Sequence, residues 1–426
     1  TAQLAELNFP RHILKKTKEI KRNFSQKSIN YFKTNLENQN WESILLTGDV
    51  NRTYNTFYSI IQTNLNIACP YSKTYRKPKA IKKCWDNECT NLKSAYIKAL
   101  ERELCSGLTE DKRITAKKKK EYDLKLKTLR KQQNTNHIKQ ADNKTKAVWQ
   151  VVNSEKKATT NPKNPFQLQA NGTIIKDPIE IADYFNSFFT SIAEKTLQDN
   201  NINPNIINQH TTPIPVNRFQ FRSITEKDVL KAIDTLKPKS STGIDDISAK
   251  LTKTCKKELT APLTNIINKS LQQGVFPAKL KIAKVYPKYK KGPAVEANSY
   301  RPISLIPTFS KVIEKIVLEQ FLHYLEQNNL LTHQQHGFLK GRSTATALVQ
   351  LVEHIIDKLE EGCIVTSLFL DFSKAFDCLN HSCLIEKLKA LGIVGKSAKW
   401  FHSYLSDREQ LVELQHTTNN ITQKVL

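Results

Sequence analysis

Residue types that could do chemistry gather between Ile364 and His381. An apolar run, Leu368-Phe369-Leu370, ends in Asp371, and a small-polar turn leads on to Ala375-Phe376-Asp377. A buried strand ending in a carboxylate delivers that carboxylate to a cleft at the edge of a sheet. Metal-dependent phosphoryl transfer uses this arrangement, because a hard cation takes oxygen ligands held on a rigid element. The same spacing suits a strand-to-helix turn with Asp371 or Ser373 as the N-cap, and the stretch alone leaves both open. A second acidic pair, Asp245-Asp246, has no predicted strand before it and is read as capping and turn chemistry. Basic residues offer the complementary function. Leu280 to Pro287 reads as a strand, Lys288, Lys290, Lys291 and Gly292 as a basic turn, and Asn298 to Ile306 as a returning strand. A hairpin carrying Lys290 and Arg301 suits a triphosphate, or it is a surface hairpin with ordinary charges.

The bulk numbers frame this chemistry. In 426 residues, Lys and Arg number 66 against 40 Asp and Glu, a net charge of +26. That excess points to a polyanionic partner, nucleic acid before membrane. Eight Cys are scattered without paired spacing. Cys84 and Cys89 fall on a predicted helix with no second pair to complete a zinc site, so free thiols in a reducing compartment are expected. No apolar stretch approaches about 18 residues, so no membrane span is expected. No signal peptide is recognised. The chain starts at Thr1 and contains no Met, which reads as a piece of a longer product.

The elements that must position these residues follow from periodicity. Ile20, Phe24, Ile29, Phe32 and Leu36 fall near helical spacing, with Trp41 and Leu45 beyond. An extended basic segment from Pro70 leads into a long helical stretch opening near Lys83. From Lys112 to Lys131 this stretch holds ten Lys or Arg and two acids, Glu121 and Asp123. Such a helix suits a phosphate backbone in a sequence-independent, salt-sensitive contact, or it is a solvated face. Trp149, with Val148, Val151 and Val152, reads as its apolar anchor. Residues 153–180 read as a linker and 198–217 as a second loose connection, flanking a helix whose face of Ile181, Ala182, Tyr184, Phe185, Phe188 and Phe189 belongs to a core. Compact sequence begins at Phe219. Ser223 with Glu226 reads as a helix cap, and a helix from about Ala249 to Gln273 ends at Gly274. Helices are predicted over 311–328 and 345–359, then the strand ending in Asp371, further helices around Leu384 and Trp400, and a strand from Asp407.

Five blocks in order resemble a known family. They are the segment from Pro287 to Gly292, that from Asn298 to Ile306, that from Ser310 to Lys315, Gln335-His336-Gly337-Phe338 with Arg342-Ser343-Thr344, and Phe369 to Asp377. Together they resemble reverse transcriptases of non-long-terminal-repeat (LINE-type, Jockey-like) retrotransposons, clearly over about 220–426. Residues 1–200 are more weakly similar to the connector that follows the endonuclease in those polyproteins, through Trp85, Cys89 and Ala147 to Asn153. The resemblance implies that Asp371 is the first metal-binding aspartate of the polymerase palm, with the backbone carbonyl of Phe372 as a further ligand. Two Mg²⁺ ions would then activate the primer 3′-hydroxyl and stabilise the leaving pyrophosphate. It implies Phe376 as the ring under the sugar that rejects a 2′-hydroxyl, and Lys290 and Arg301 as the clamp on the incoming deoxynucleoside triphosphate. Gln335, Gly337, Phe338 and Arg342 would lie near the template. Lys117, Lys118, Lys119, Lys120, Arg130 and Lys131 are candidates for the nucleic-acid backbone. RNA template and DNA primer are the implied partners, without a membrane, in nucleus and cytoplasm.

The chain also departs from the family. The template-grip block and the Tyr-x-Asp-Asp turn are absent from the sequence, and after Asp377 the acids are Glu386, Asp407, Glu409 and Glu413, none adjacent. One strand's carboxylate cannot hold two metal ions, so the polypeptide is expected to be inactive alone. The expected fold is mixed α/β: a helical, basic connector over 1–160, a linker with one amphipathic helix over 161–218, and fingers with a partial palm of a right-hand polymerase over 219–426, the palm sheet incomplete. The alternatives are a decayed or domesticated nucleic-acid-binding module without catalysis, and a structural helical protein.

Overall fold

The computed structural model describes residues 18–42, 48–75, 85–141, 143–155, 167–170, 172–199, 217–372, 374–418 and 421–425. Leu45, Cys84, Ser373, most of the 198–217 connection and part of the 153–180 linker lie outside these residues. In chain order the elements are β1 (Lys18–Arg22), α1 (Gln26–Glu37), α2 (Val50–Ala68), β2 (Tyr71–Tyr75), α3 (Asn87–Ser106), α4 (Thr109–Gln140) and α5 (Lys144–Glu155). Then come β3 (Leu168–Ala170), β4 (Thr173–Ile175), α6 (Pro178–Asp199), α7 (Glu226–Thr235), α8 (Ala249–Thr254), α9 (Lys256–Gln273), β5 (Ile282–Tyr289), β6 (Tyr300–Leu305) and α10 (Thr308–Gln327). The chain closes with α11 (Thr344–Glu360), α12 (His381–Ala390), α13 (Gly395–Leu405), β7 (Glu409–Val412), β8 (Leu414–Thr418) and β9 (Ile421–Val425). The fold is mixed α/β. Contacts divide it into two units, Thr1–Tyr75 with Pro165–Leu426, and Arg76–Asn164.

In the first unit, helices build the main core. Phe32 and Leu36 of α1, Tyr54, Phe57, Ile61 and Leu65 of α2, Leu263, Ile266 and Ile267 of α9, Phe309 and Ile313 of α10 and Trp400 of α13 are all buried in one cluster. Their spacing of three, four and seven residues is the stripe of a helix facing a core. The predicted face of α6 buries Ile181, Ala182, Phe185 and Phe189 against Leu414 of β8 and against Val285 and Val412 of a three-stranded sheet. That sheet has the order β6-β5-β7, with β5 antiparallel to β6 and parallel to β7. A second sheet has the order β2-β1-β9-β8, and β3-β4 form a hairpin. A buried ion pair, Lys284 Nζ to a Glu413 carboxylate oxygen at 3.0 Å, ties β5 to the residue after β7.

Four details differ from the sequence reading. Ile20 lies in β1, paired with Lys73 of β2, and the first helix begins only at Gln26, capped by Ser25. The capping box of α7 uses Thr225 and Asp228 instead of Ser223 and Glu226. Both patterns satisfy the rule, and Asp228 wins because it also pairs with Arg222. The helix expected over 249–273 breaks at Cys255 into α8 and α9. In the second unit Trp149 and Val148 are exposed, and Ala147 of α5 is buried.

Candidate functional site

The predicted basic hairpin is formed by β5 and β6. Its register sets Lys288 directly across from Arg301 and Tyr289 across from Tyr300, and Lys290 N–H donates to the Ser299 carbonyl at 2.8 Å. Side chains alternate along a strand. Lys288, Lys290 and Arg301 therefore share one face near the turn, and all three are exposed. Sequence reasoning paired Lys290 with Arg301 and passed over Lys288; the missing signal was the register. Gly292, with φ of +98°, closes the turn, and Tyr289 Oη donates to its carbonyl at 2.6 Å.

The hairpin is braced from behind. A Cβ on Gly243 would lie 2.9 Å from Pro307 N and 3.1 Å from Ile306 C, so the 240–247 loop rests directly on the end of β6. Thr308 Oγ1 donates to the Ile247 carbonyl at 2.6 Å. Within this loop Asp245 Oδ1 accepts from Ile247 N–H at 3.2 Å, and Gln62 Nε2 donates to the Asp245 carbonyl at 2.6 Å. Asp246 sits at φ of +57° and pairs with Arg22 at 3.1 Å and with the Tyr71 hydroxyl. The acidic pair is thus turn chemistry, as its sequence suggested. Its burial was not legible. Asp245 is 2 % exposed and its Oδ2 has no hydrogen-bond partner among the described residues. Burial pushes its carboxyl up to about 6.

The stretch around Asp371 departs from expectation. Residues 363–372 form no strand, and Ile364, Leu368, Phe369, Leu370 and Phe372 are 75 to 96 % exposed. A strand is held by the hydrogen-bond ladder of a neighbour, and this stretch pairs with none of the described strands. Asp371 and Asp377 are exposed, with no ion pair among the described residues. Lys374, at φ of +52°, accepts backbone bonds from Asp377 and Cys378 at 3.0 Å, forming the turn, and its Nζ donates to Thr196 Oγ1 of α6 at 3.0 Å. Helix α11, immediately before, has a capping box of Ser343 and Thr346 but buries no residue, leaving Leu348, Val349, Val352, Ile356 and Leu359 exposed.

Two expected site residues do meet. The rings of Phe376 and Phe338 are edge to face with centroids 6.0 Å apart. Phe338 sits at φ of +63°, a conformation that costs energy for a bulky residue. Its loop is fastened by local bonds. Gln335 Nε2 donates to the Gly337 carbonyl at 2.9 Å, and Arg342 Nη1 to the His333 carbonyl at 2.8 Å. His336 bridges Thr346 and Gln350 of α11. The head groups of Gln335 and Arg342 are therefore engaged within the loop. No hydrogen bond or ion pair links Asp371 to Lys288, Lys290 or Arg301 among the described residues.

The donor set bears on the implied metal ions. Among the described residues no group of three or more His, Cys, Asp or Glu side chains could hold a metal ion. Asp371 with the Phe372 carbonyl supplies one carboxylate and one neutral oxygen on an exposed segment. These residues do not by themselves fit a two-ion site, which needs carboxylates from more than one element.

On α4, Lys117, Lys119, Lys120, Arg130 and Lys131 are exposed without an ion pair among the described residues, whereas Lys118 is engaged by Glu121 at 2.9 Å. In the first unit a cavity of about 440 Å³ is lined by Arg218, Arg222, Asn268, Gln272, Lys396 and Ser397 among others, none of them an expected site residue. No helix among the described residues is long and apolar enough to cross a membrane.

Residues 287–426 match the reverse transcriptase (RNA-dependent DNA polymerase) family. This span contains the turn end of the basic hairpin with Lys288, Lys290 and Arg301, the Phe338 loop, α11 and the Asp371 segment. The chain is 29 % identical over 207 residues to a probable RNA-directed DNA polymerase from transposon BS of Drosophila melanogaster, covering 48 % of this chain and 23 % of that protein. It is 30 % identical over 169 residues to the RNA-directed DNA polymerase from mobile element jockey of Drosophila funebris, covering 39 % and 18 %. A probable RNA-directed DNA polymerase from transposon X-element of Drosophila melanogaster is 27 % identical over 251 residues, covering 58 % and 27 %. The chain thus spans about a quarter of the length of these relatives or less. These matches bear out the resemblance to a LINE-type reverse transcriptase.

Proposed function

We propose that this chain is part of an RNA-directed DNA polymerase that copies retrotransposon RNA onto a DNA primer, with residues 219–426 as fingers and part of the palm. The observation that carries the reading is the face shared by Lys288, Lys290 and Arg301 within the matched span. Three cations on a two-stranded hairpin suit the phosphates of a deoxynucleoside triphosphate. Arg301 offers a planar fork and the lysines offer point charges. Phe376, against Phe338, is assigned to the sugar of the same nucleotide, and the 335–342 loop to the template. Asp371 contributes one carboxylate to a metal site that carboxylates from another element complete. Mg²⁺, when bound there, supplies the charge that stabilises phosphoryl transfer. Asp371 by itself does not hold two metal ions, and on this reading the polypeptide does not polymerise alone.

Two measurements test this. A fluorescent deoxynucleoside triphosphate should bind residues 1–426, and Arg301→Ala with Lys288→Ala should abolish binding; binding indifferent to both substitutions overturns the assignment of the hairpin. In primer extension on an RNA template, incorporation should not exceed that of Asp371→Ala, and Mg²⁺-dependent incorporation above that level overturns the inactivity. A second reading, a nucleic-acid-binding module without catalysis, is favoured by the net charge of +26 and the unpaired cations of α4. It gives RNA binding with a steep salt dependence and no nucleotide binding at the hairpin.

A further inference from the structure

We propose that the outer face of α4 is a sequence-blind rail for the phosphates of a nucleic-acid duplex, with Asp123 set to weaken the contact. The proposal rests on the nucleic-acid reading above and adds the form of the ligand and the residues that hold it. Helix α4 has 32 residues. The structure sorts its cations by face. Lys125 turns toward α3, where it meets Asp86 at 3.0 Å and Glu88. Lys118 pairs with Glu121 at 2.9 Å and Arg113 with Glu110 at 3.2 Å. Lys117, Lys119, Lys120, Lys127, Arg130 and Lys131 are exposed with no ion pair among the described residues. A merely solvated helix carries both signs at spacings of three and four residues; this face carries Asp123 alone between Lys117 and Lys131 as its exposed acid.

The dimensions fit a duplex. From Lys117 to Lys131 the helix rises about 21 Å. Over that length one strand of a duplex presents about six phosphates, at about 3.4 Å each along the axis. Lys119, Lys120 and Lys127 border a shallow groove of about 350 Å³ whose other lining residues are Ala116, Asp123 and Leu124. Its small floor admits a phosphate-sugar edge beside the lysines. The same face argues against a single strand, whose binding relies on exposed aromatic platforms. The one aromatic residue of this stretch, Tyr122, is stacked on Tyr96 of α3, centroids 6.3 Å apart and 7° from parallel. Phosphates without bases give no sequence readout.

Fluorescence anisotropy of residues 1–426 tests this, using a duplex DNA, an RNA–DNA hybrid, a single strand of the same mixed sequence of about 20 nucleotides, and poly-glutamate, between about 50 and 200 mM salt. Both duplexes should bind alike and at least about tenfold more tightly than the single strand, since their charge density is higher. The Lys119→Ala, Lys120→Ala, Lys127→Ala triple variant should reduce the slope of log affinity against log salt by about 2.7, about 0.9 per lysine. Alanine is favoured in an exposed helix, and circular dichroism confirms that the triple variant keeps its helix. Asp123→Asn should tighten duplex binding by about two- to fivefold, the scale of an exposed charge pair. An unchanged slope in the triple variant, with salt-dependent binding retained, overturns the rail and leaves the nucleic-acid reading standing. A preference for the single strand, or poly-glutamate binding as tight as duplex, also overturns it. No salt-dependent binding to any nucleic acid overturns both.

Discussion

Replacing Asp245 with Asn should stabilise the folded chain at neutral pH and do little at pH 4. The side chain is 2 % exposed, its Oδ1 accepts from Ile247 N–H, and its Oδ2 has no partner among the described residues. Burial is the main reason its carboxyl is raised from 3.8 to about 6, with the Asp246 charge adding to it and Lys284 opposing it. A carboxyl whose folded value is raised keeps its proton where the unfolded chain has lost its own. Stability therefore falls as pH rises from about 4 to about 6 and stays lower above that. Each unit is worth about 1.4 kcal/mol, so the ionised carboxylate costs on the order of 3 kcal/mol at pH 7.5. Asn keeps the acceptor for Ile247 and removes the charge. At pH 4 both side chains are neutral and their stabilities should nearly match. Urea unfolding of both proteins at pH 4, 5, 6 and 7.5 measures the difference, which should grow by about 2 to 3 kcal/mol across the series. A difference that does not change with pH would refute the reasoning, since it would mean that Asp245 is not a buried, ionisable group.

Other substitutions probe other parts of the structure. Phe369 is 78 % exposed, so Phe369→Ala should cost about 1 kcal/mol or less in urea unfolding, whereas Phe309→Ala, at 1 % exposure, should cost about 3 to 5 kcal/mol. Equal losses would show that the 364–372 segment is a buried strand after all. Asp228→Ala removes the capping box of α7 and the pair with Arg222, which hold its carboxyl down at about 2. With the pair discounted for its exposure, the loss should be about 1 to 2 kcal/mol above pH 4 and should fade as pH drops toward 2. Gly243→Ala drives a Cβ against Pro307 backbone atoms and should cost about 1 to 3 kcal/mol in thermal or urea unfolding, with a near-zero cost counting against the described packing.

Helices and the basic hairpin were legible because their signals are local. The aromatic face of α6 repeats every three to four residues, and the turn from Lys288 to Gly292 falls between two β-prone runs, so spacing alone places them. What sequence missed depends on partners remote in the chain. Thr225 outcompetes Ser223 because Asp228 also holds Arg222. Lys288 faces Arg301 only once the register of β5 and β6 is known. Asp245 looks like any turn acid until α2 supplies Gln62 and the loop is closed under Thr308. Among the site residues, the meeting of Phe338 and Phe376 joins two blocks that the sequence could only line up in order.

The Asp371 stretch shows why a strong local signal can still give no strand. Ile364, Val365, Thr366, Phe369 and Phe372 are strand formers, and the continuous apolar run Leu368-Phe369-Leu370 is that of a strand buried on both faces. Propensity of this kind is a preference for a half-buried pleated surface, and it pays out only when a neighbour provides the ladder and a layer of side chains covers the face. The sheet β6-β5-β7 has its edges at β6 and β7, neither of which pairs with residues 363–372. Helix α11 is equally well specified, with its capping box and apolar stripe, yet it forms, because a helix satisfies its own backbone. The two elements share one feature, an apolar face without cover among the described residues, and differ because only one of them can close its hydrogen bonds alone. Among the described residues no strand partner therefore fixes the position of Asp371, while the face of Lys288, Lys290 and Arg301 is a property of a hairpin that is already closed.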